Sequence, residues 1–190
     1  MPLFHNNIYS LNSEQYRKTG VAPYDASWQS HYEAERDKIK NVLKTINPSI
    51  HHIGSTAVPG MLAKPVIDIL ILLDNIHELE GQRDVLESLG YHWMGEYGIT
   101  GRRYLWRVAG KEIDFHLQCF QKDHMAATNC IVFRDFLRSH PNKIIEYSKE
   151  KERASKKFPN DTHAYWYEKK NFVDKLLIEA INWHNLKTGK

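Results

Sequence analysis

This sequence has no disulfide framework, no membrane span and no nucleic-acid-binding tail. Cysteine occurs twice in 190 residues, as Cys119 and Cys130. Both lie in apolar stretches without metal-ligand spacing and are expected as buried, reduced thiols. No apolar run approaches the roughly 20 residues that cross a bilayer. No secretory signal pattern opens the sequence, so a cytoplasmic protein without membrane partners is expected. Internal repeats and low-complexity tracts are also missing. The net charge is only +3, and it is uneven: residues 138–190 hold 12 Lys+Arg against 7 Asp+Glu, while the rest of the chain holds 14 against 16. A basic C-terminal part suits an anionic partner. The excess is too small to require nucleic acid, and these segments lack a glycine-arginine or aromatic-basic tract.

What is present is enough for one sizeable core. Hydrophobic residues make up 42% of the chain, with 5 Trp, 10 Tyr and 7 Phe. A polar lead-in over 1–21 precedes a single domain over 22–190. Asp25 and Ser27 offer helix caps, and Trp28, Tyr32, Ile39, Leu43 and Ile46 recur near helical spacing, interrupted at Glu35. Asn47-Pro48 ends that helix. Ser49 to Ile53 reads as a short strand and Val66 to Leu73 as a buried central strand. Ile76, Leu79, Leu86 and Leu89 outline a second helix closed by Gly90, and Tyr91 to Met94 a further strand. Arg102–Val108 and Glu112–Phe120 read as a hairpin around Ala109-Gly110-Lys111. In its second strand Asp114, His116 and Gln118 alternate with Ile113, Phe115, Leu117 and Cys119. From about 123 to 190 the chain is helical, with breaks at Pro141 and Phe158-Pro159-Asn160. The class is therefore α+β, a mixed sheet flanked by helices with a helical C-terminal third.

The stretch from Ile53 to Leu70 concentrates the chemistry. A strand ends in Gly54-Ser55-Thr56, and a turn of that kind exposes backbone N–H groups that can hold phosphate oxygens. Asp68 then interrupts an otherwise apolar strand, where a carboxylate is costly unless it has a cation or donors to hold. Lys64, just before that strand, is placed to reach a phosphate. Arg103 and Arg134 are the arginines expected to add positive charge. His51 and His52 fall on opposite faces of their strand, so at most one faces the site, and a structural role is expected for both. His116 shares a face with Asp114 and is a candidate for metal binding or acid–base work.

The segment Gly54-Ser55-Thr56-Ala57-Val58-Pro59-Gly60, followed by Ala63-Lys64-Pro65 and Asp68-Ile69, resembles the GrpB-like family, which belongs to the polymerase-β-like nucleotidyltransferase fold. Tyr24-Asp25, Trp28, His52-Ile53, His116-Leu117, Phe133 to Arg138 with His140-Pro141, and Tyr147 agree with the same family. So do Tyr165, Lys169 and Phe172, and the resemblance covers roughly residues 22–180. It implies a nucleotidyltransferase-type core in which the Gly-Ser turn grips a triphosphate and strand carboxylates hold divalent metal. On that basis Asp68 and Asp114 are the expected Mg²⁺ ligands, Asp68, Asp114 and His116 the expected catalytic set, and Gly54, Ser55, Thr56, Lys64, Arg103, Arg134 and Lys169 the expected phosphate or nucleotide contacts.

One departure stands out. Two-metal nucleotidyl transfer uses carboxylates that bridge two cations, and the same-face neighbours of Asp68 are Val66 and Leu70. Asp74 has the right parity but lies about 20 Å along the strand. Two functions follow: a Mg²⁺-dependent nucleotidyltransferase moving a nucleotidyl group from an NTP to a small acceptor, or a catalytically degenerate sensor or adaptor that binds a nucleotide or phosphorylated small molecule.

Overall fold

The computed structural model describes residues 19–109 and 113–189. The lead-in to residue 18 and the turn expected at Gly110-Lys111 lie outside the described residues. Helix α1 (Ser27–Val42) opens where the Asp25 carboxylate accepts from the Ser27 amide and ends before Asn47, which takes the left-handed conformation (φ 43°) ahead of Pro48. Strands β1 (Ser49–Ile53) and β2 (Val66–Leu73) have the bounds read from the sequence. The apolar run after β2 is a 3₁₀ segment over Ile76–Gln82 followed by a short α2 (Arg83–Ser88), in place of the single expected helix. A two-residue β3 (His92–Trp93), then β4 (Arg103–Ala109) and β5 (Ile113–Gln121), complete the sheet. Three helices follow: α3 (Met125–Ser139), α4 (Pro141–Lys157) and α5 (Thr162–Thr188).

The sheet order is β1-β2-β5-β4-β3, with β2 and β5 parallel and the other neighbours antiparallel. Strand alternation divides the core in two. One face carries Ile67, Ile69, Ile71 and Leu73 of β2 with Leu105, Phe115, Leu117 and Cys119, packed on Trp28, Tyr32 and Ile39 of α1 and on Leu86 of α2. Glu35, the break in the α1 pattern, is buried in this half. It accepts from Tyr91 Oη (2.7 Å), pairs with Arg107 Nη2 (2.7 Å), and meets the exposed Lys38 at 3.3 Å. The other face carries Ile53, Leu70 and Phe120 and packs on α3 and α5 through Phe133, Phe136, Leu137, Val173, Leu176 and Leu177. Asp68 lies on this second face, because it is two residues from Leu70 and paired with Ile53. No described helix is long and apolar enough to cross a membrane.

Candidate phosphate and metal site

Gly54 follows directly on β1, and its position beside Asp68 explains why it is glycine. Its φ is +72°, and a Cβ there would lie 2.5 Å from Asp68 Oδ2. Both the backbone conformation and the space exclude a side chain. The turn therefore presses against the one carboxylate of β2. Behind it, buried Thr56 donates to the Val66 carbonyl (2.9 Å), and His52 Nε2 lies 3.1 Å from Thr56 Oγ1. His52 stacks on Tyr32 at 4.6 Å between ring centroids, and burial pushes its pKa down to about 4, so it is neutral. A neutral Nε2–H donor completes a relay from His52 through Thr56 to Val66 that locks the turn onto β2. The hydroxyl of Thr56, a residue expected among the phosphate contacts, is committed to the protein.

On the sheet, the residue paired with Asp68 is His116, and His116 Nδ1 lies 3.7 Å from Asp68 Oδ1. Both are partly open to solvent, at 25% for the Asp68 side chain and 12% for His116. Asp114 shares the face but pairs with Val66, two residues further along. Burial raises its carboxyl pKa against the opposing pull of His116, and its Oδ1 has no hydrogen-bond partner. Among the described residues no group of three or more His, Cys, Asp or Glu side chains is arranged to hold a metal ion. The donors present fit one hard cation completed by water and ligand oxygens. They do not fit two bridged cations.

The positive charge comes from the helices. Lys64 Nζ sits 4.8 Å from the centroid of Tyr165, and Lys169 Nζ sits 5.3 Å from Tyr165 and 5.9 Å from Tyr147. Lys151 Nζ sits 4.3 Å from Tyr147. Two buried tyrosine rings thus separate three lysine amino groups. Burial lowers the pKa of Lys64 to about 8, helped by the charge of Lys169. Lys169 is also lowered to about 8 by burial, against the opposing pull of Asp68. Lys151 is driven well below the lysine range by burial and then by Lys169, with Asp68 acting the other way. Asp68 and the lysines therefore share one electrostatic environment, in which the two ammonium groups of Lys64 and Lys169 and the buried amine of Lys151 face one carboxylate.

Lys151 was not among the residues singled out from the sequence. It is buried, and its Nζ donates to Ser55 Oγ and to the Leu62 carbonyl (3.0 Å). Ser148, on the same helix, accepts from the Leu62 amide at 3.1 Å. Helix α4 thus grips both ends of the loop between Gly54 and Lys64. A signal was present. Tyr147 and Lys151 are spaced i, i+4 on α4 as Tyr165 and Lys169 are on α5, so each tyrosine carries its lysine on the same helical face.

Two arginines are placed elsewhere. Arg103 shares a strand face with Leu105, away from Asp68, where it pairs with Glu80 at 2.5 Å and approaches Glu96 at 3.9 Å. Arg134 Nη1 donates to the His52 carbonyl (2.9 Å) and its Nε to Asp135 (2.8 Å). Arg138 likewise reaches the Ala57 carbonyl through two nitrogens at 2.8 and 2.6 Å. These two arginines fasten α3 to the outer edge of β1 and to the turn. Gly54, Ser55, Lys64, Asp68, His116 and Lys169 are brought together; Thr56 and Arg134 support them, and Arg103 lies apart.

The model of a family described as GrpB protein matches residues 18–179. The UPF0157 protein YqkA of Bacillus subtilis is 32% identical over 167 residues, covering 88% of this chain and 48% of its own length, so the chain spans about half of that relative. The crystal structure of conserved protein GrpB from Enterococcus faecalis superposes with a TM-score of 0.81 at 31% identity, covering 87% of this chain and 99% of the other. Terminal uridylyl transferase 4 from Trypanosoma brucei, solved with bound dUTP, superposes with a TM-score of 0.51 at 14% identity over 77% of this chain and 52% of its own, a likeness of fold alone.

Proposed function

The chain belongs to the GrpB family, and we propose that it binds the phosphate chain of a nucleotide or other phosphorylated small molecule between the Gly54-Ser55 turn and the ammonium groups of Lys64 and Lys169. The observation that carries this reading is the charge imbalance around Asp68. Three lysines crowd into a partly desolvated space with one carboxylate, and burial works against the charge of each. Such an arrangement is unfavourable alone and is offset by an anion of several charges. The exposed side of the Gly-Ser turn adds neutral donors of the kind that hold phosphate oxygens.

In this reading Asp68, with Asp114 two residues further along, would hold a single Mg²⁺ ion, which would supply charge neutralisation at the phosphates. Lys64 and Lys169 bind and orient the chain and stabilise the charge that develops on a leaving pyrophosphate. His116 borders Asp68 on the side away from the turn. The reaction that fits is transfer of a nucleotidyl group to a small acceptor. The lone carboxylate of β2 favours a second reading, in which the same site binds its ligand without transfer.

Calorimetric titration with nucleoside triphosphates and inorganic tripolyphosphate, with and without Mg²⁺, tests the binding. We expect saturable binding that falls at least about tenfold in Lys64→Met and in Lys169→Met, a single lost charged contact being worth about 1.5–3 kcal/mol, and that is unchanged in Lys156→Met. Absence of binding, or equal loss in all three variants, overturns the reading. Release of pyrophosphate in the presence of candidate acceptors separates the enzyme from the binding module.

A further inference from the structure

We propose that Ser55 is a nucleophile and Lys151 its general base, so that Ser55 accepts a phosphorus group from a phosphoanhydride as a covalent intermediate. The phosphoanhydride class rests on the reading above; the serine–lysine pair rests on its own geometry. Lys151 is 3% exposed, and among its described neighbours there is no hydrogen bond to a carboxylate. Its two polar partners are the Ser55 hydroxyl and the Leu62 carbonyl. As an ammonium, Nζ donates to both; as a neutral amine it keeps an N–H on the Leu62 carbonyl, which fixes it, and can turn its lone pair to accept from the Ser55 O–H across the same contact. A buried amine beside a serine hydroxyl, oriented by a third group, is the arrangement that activates a serine. Four surroundings set the protonation of Lys151. Burial and the Lys169 charge favour the neutral amine, while Asp68 and the Tyr147 ring favour the ammonium.

Ser55 is itself partly open, on the first residue after Gly54, whereas Lys151 behind it is sealed. A ligand can therefore reach the oxygen without reaching the base. The Ser55 proton passes to Lys151 Nζ, the Oγ–P bond forms, and the anhydride P–O bond breaks. The leaving phosphate oxygen takes the bonding pair, and Lys64 and Lys169 neutralise it. Attack at the terminal phosphorus leaves phosphoserine; attack at the α-phosphorus leaves a nucleotidyl serine. A nucleophile supplied by the turn also removes the need for a second carboxylate on β2 to activate an acceptor in the first step.

The test is intact-mass and peptide mapping of the purified protein after exposure to a fluorophosphonate, which needs only a reactive serine, and separately to ATP with and without Mg²⁺. We expect one fluorophosphonate adduct on Ser55, lost in Ser55→Ala, with a rate that rises with pH through a transition below the ordinary lysine range. Lys151→Met should slow the adduct about 100-fold or more, the usual worth of a general base. Lys151→Arg keeps a donor to Ser55 but cannot take its proton, and should be equally slow even where Lys151→Met fails to fold. The ATP arm identifies the group carried by the mass it adds. No adduct on Ser55, or an adduct forming at the wild-type rate in Lys151→Arg, overturns the proposal. Triphosphate binding without any Ser55 adduct would leave the binding site standing and remove the nucleophile; an adduct without triphosphate binding would do the reverse.

Discussion

The two faces of the sheet treat buried charge in opposite ways. On the α1 face, Glu35 is enclosed with Arg107 at 2.7 Å and Tyr91 at 2.7 Å, and both carboxylate oxygens are used. On the α4–α5 face, Asp68 has a histidine at 3.7 Å, a glycine turn against Oδ2, and three lysines nearby whose partners are tyrosine rings, a hydroxyl and a carbonyl. In the first arrangement the carboxylate is fully partnered within the protein, although Arg107 Nε is left without a hydrogen-bond partner. The second is short of negative charge and partly open, which is the condition of a site rather than of a core.

The largest effect should come from breaking the closed pair. Glu35→Ala leaves the Arg107 guanidinium buried without its carboxylate, and should cost about 3–5 kcal/mol in denaturant unfolding, with triphosphate affinity unchanged in the protein that remains folded. If stability falls by less than 1 kcal/mol, as for an exposed pair, the contrast between the faces is lost.

Gly54→Ala comes next. The new Cβ meets the Asp68 carboxylate and the backbone must hold φ +72°, a strain of about 1–3 kcal/mol. Binding should be abolished, and the melting temperature should drop. Gly60→Ala, where the φ of +80° imposes strain but no atom lies within 4 Å of the added Cβ, supplies the comparison: it should lose stability and keep binding.

Lys169→Met sharpens the contrast because its two effects have opposite signs. The folded pKa of Lys169 is about 8, below its ordinary value of 10.5. Below pH 8 the amine is charged in both folded and unfolded chains, and the folded state carries the cost of that burial. Between about 8 and 10.5 the unfolded chain binds more protons, so stability of the ligand-free protein rises with pH across this window. The substitution removes the cost, so at pH 7 the variant should be no less stable than wild type while losing triphosphate binding. A destabilised variant with intact binding would place Lys169 in the scaffold. The smallest effect should come from Arg134→Ala, which loses a hydrogen bond to the edge carbonyl of His52 at a cost of about 1 kcal/mol with binding within twofold of wild type.

These contrasts also mark what the sequence could convey. Strand parity placed Asp68, Asp114 and His116 on one face, and the strained, crowded position of Gly54 agrees with its reading as a turn against Asp68. Parity within β4 groups Arg103 with Leu105, but only the register against β5, with Arg103 opposite Cys119, puts them on the face away from Asp68. Arg134 answers a need invisible in one dimension, the unpaired carbonyls on the outer side of β1. Thr56 looked like a phosphate donor because the fold behind the turn was not yet known, and its hydroxyl is spent on Val66. Lys151 was hidden among the many charged residues of α4, most of them solvated, and only its spacing from Tyr147 set it apart. Glu35 read as a flaw in an apolar stripe because its partners, Tyr91 and Arg107, come from elements far along the chain.

Whether Lys64 and Lys169 together hold a polyanion is decided by calorimetric titration of tripolyphosphate at pH 8 in two buffers of different ionisation enthalpy. Both amines titrate near that pH in the free protein, and a bound polyanion should raise them, so binding should draw protons from solution and affinity should fall as pH rises above 8. We expect net proton uptake that decreases in Lys64→Met and in Lys169→Met. Binding with no proton uptake, or with uptake unchanged in both variants, would contradict it.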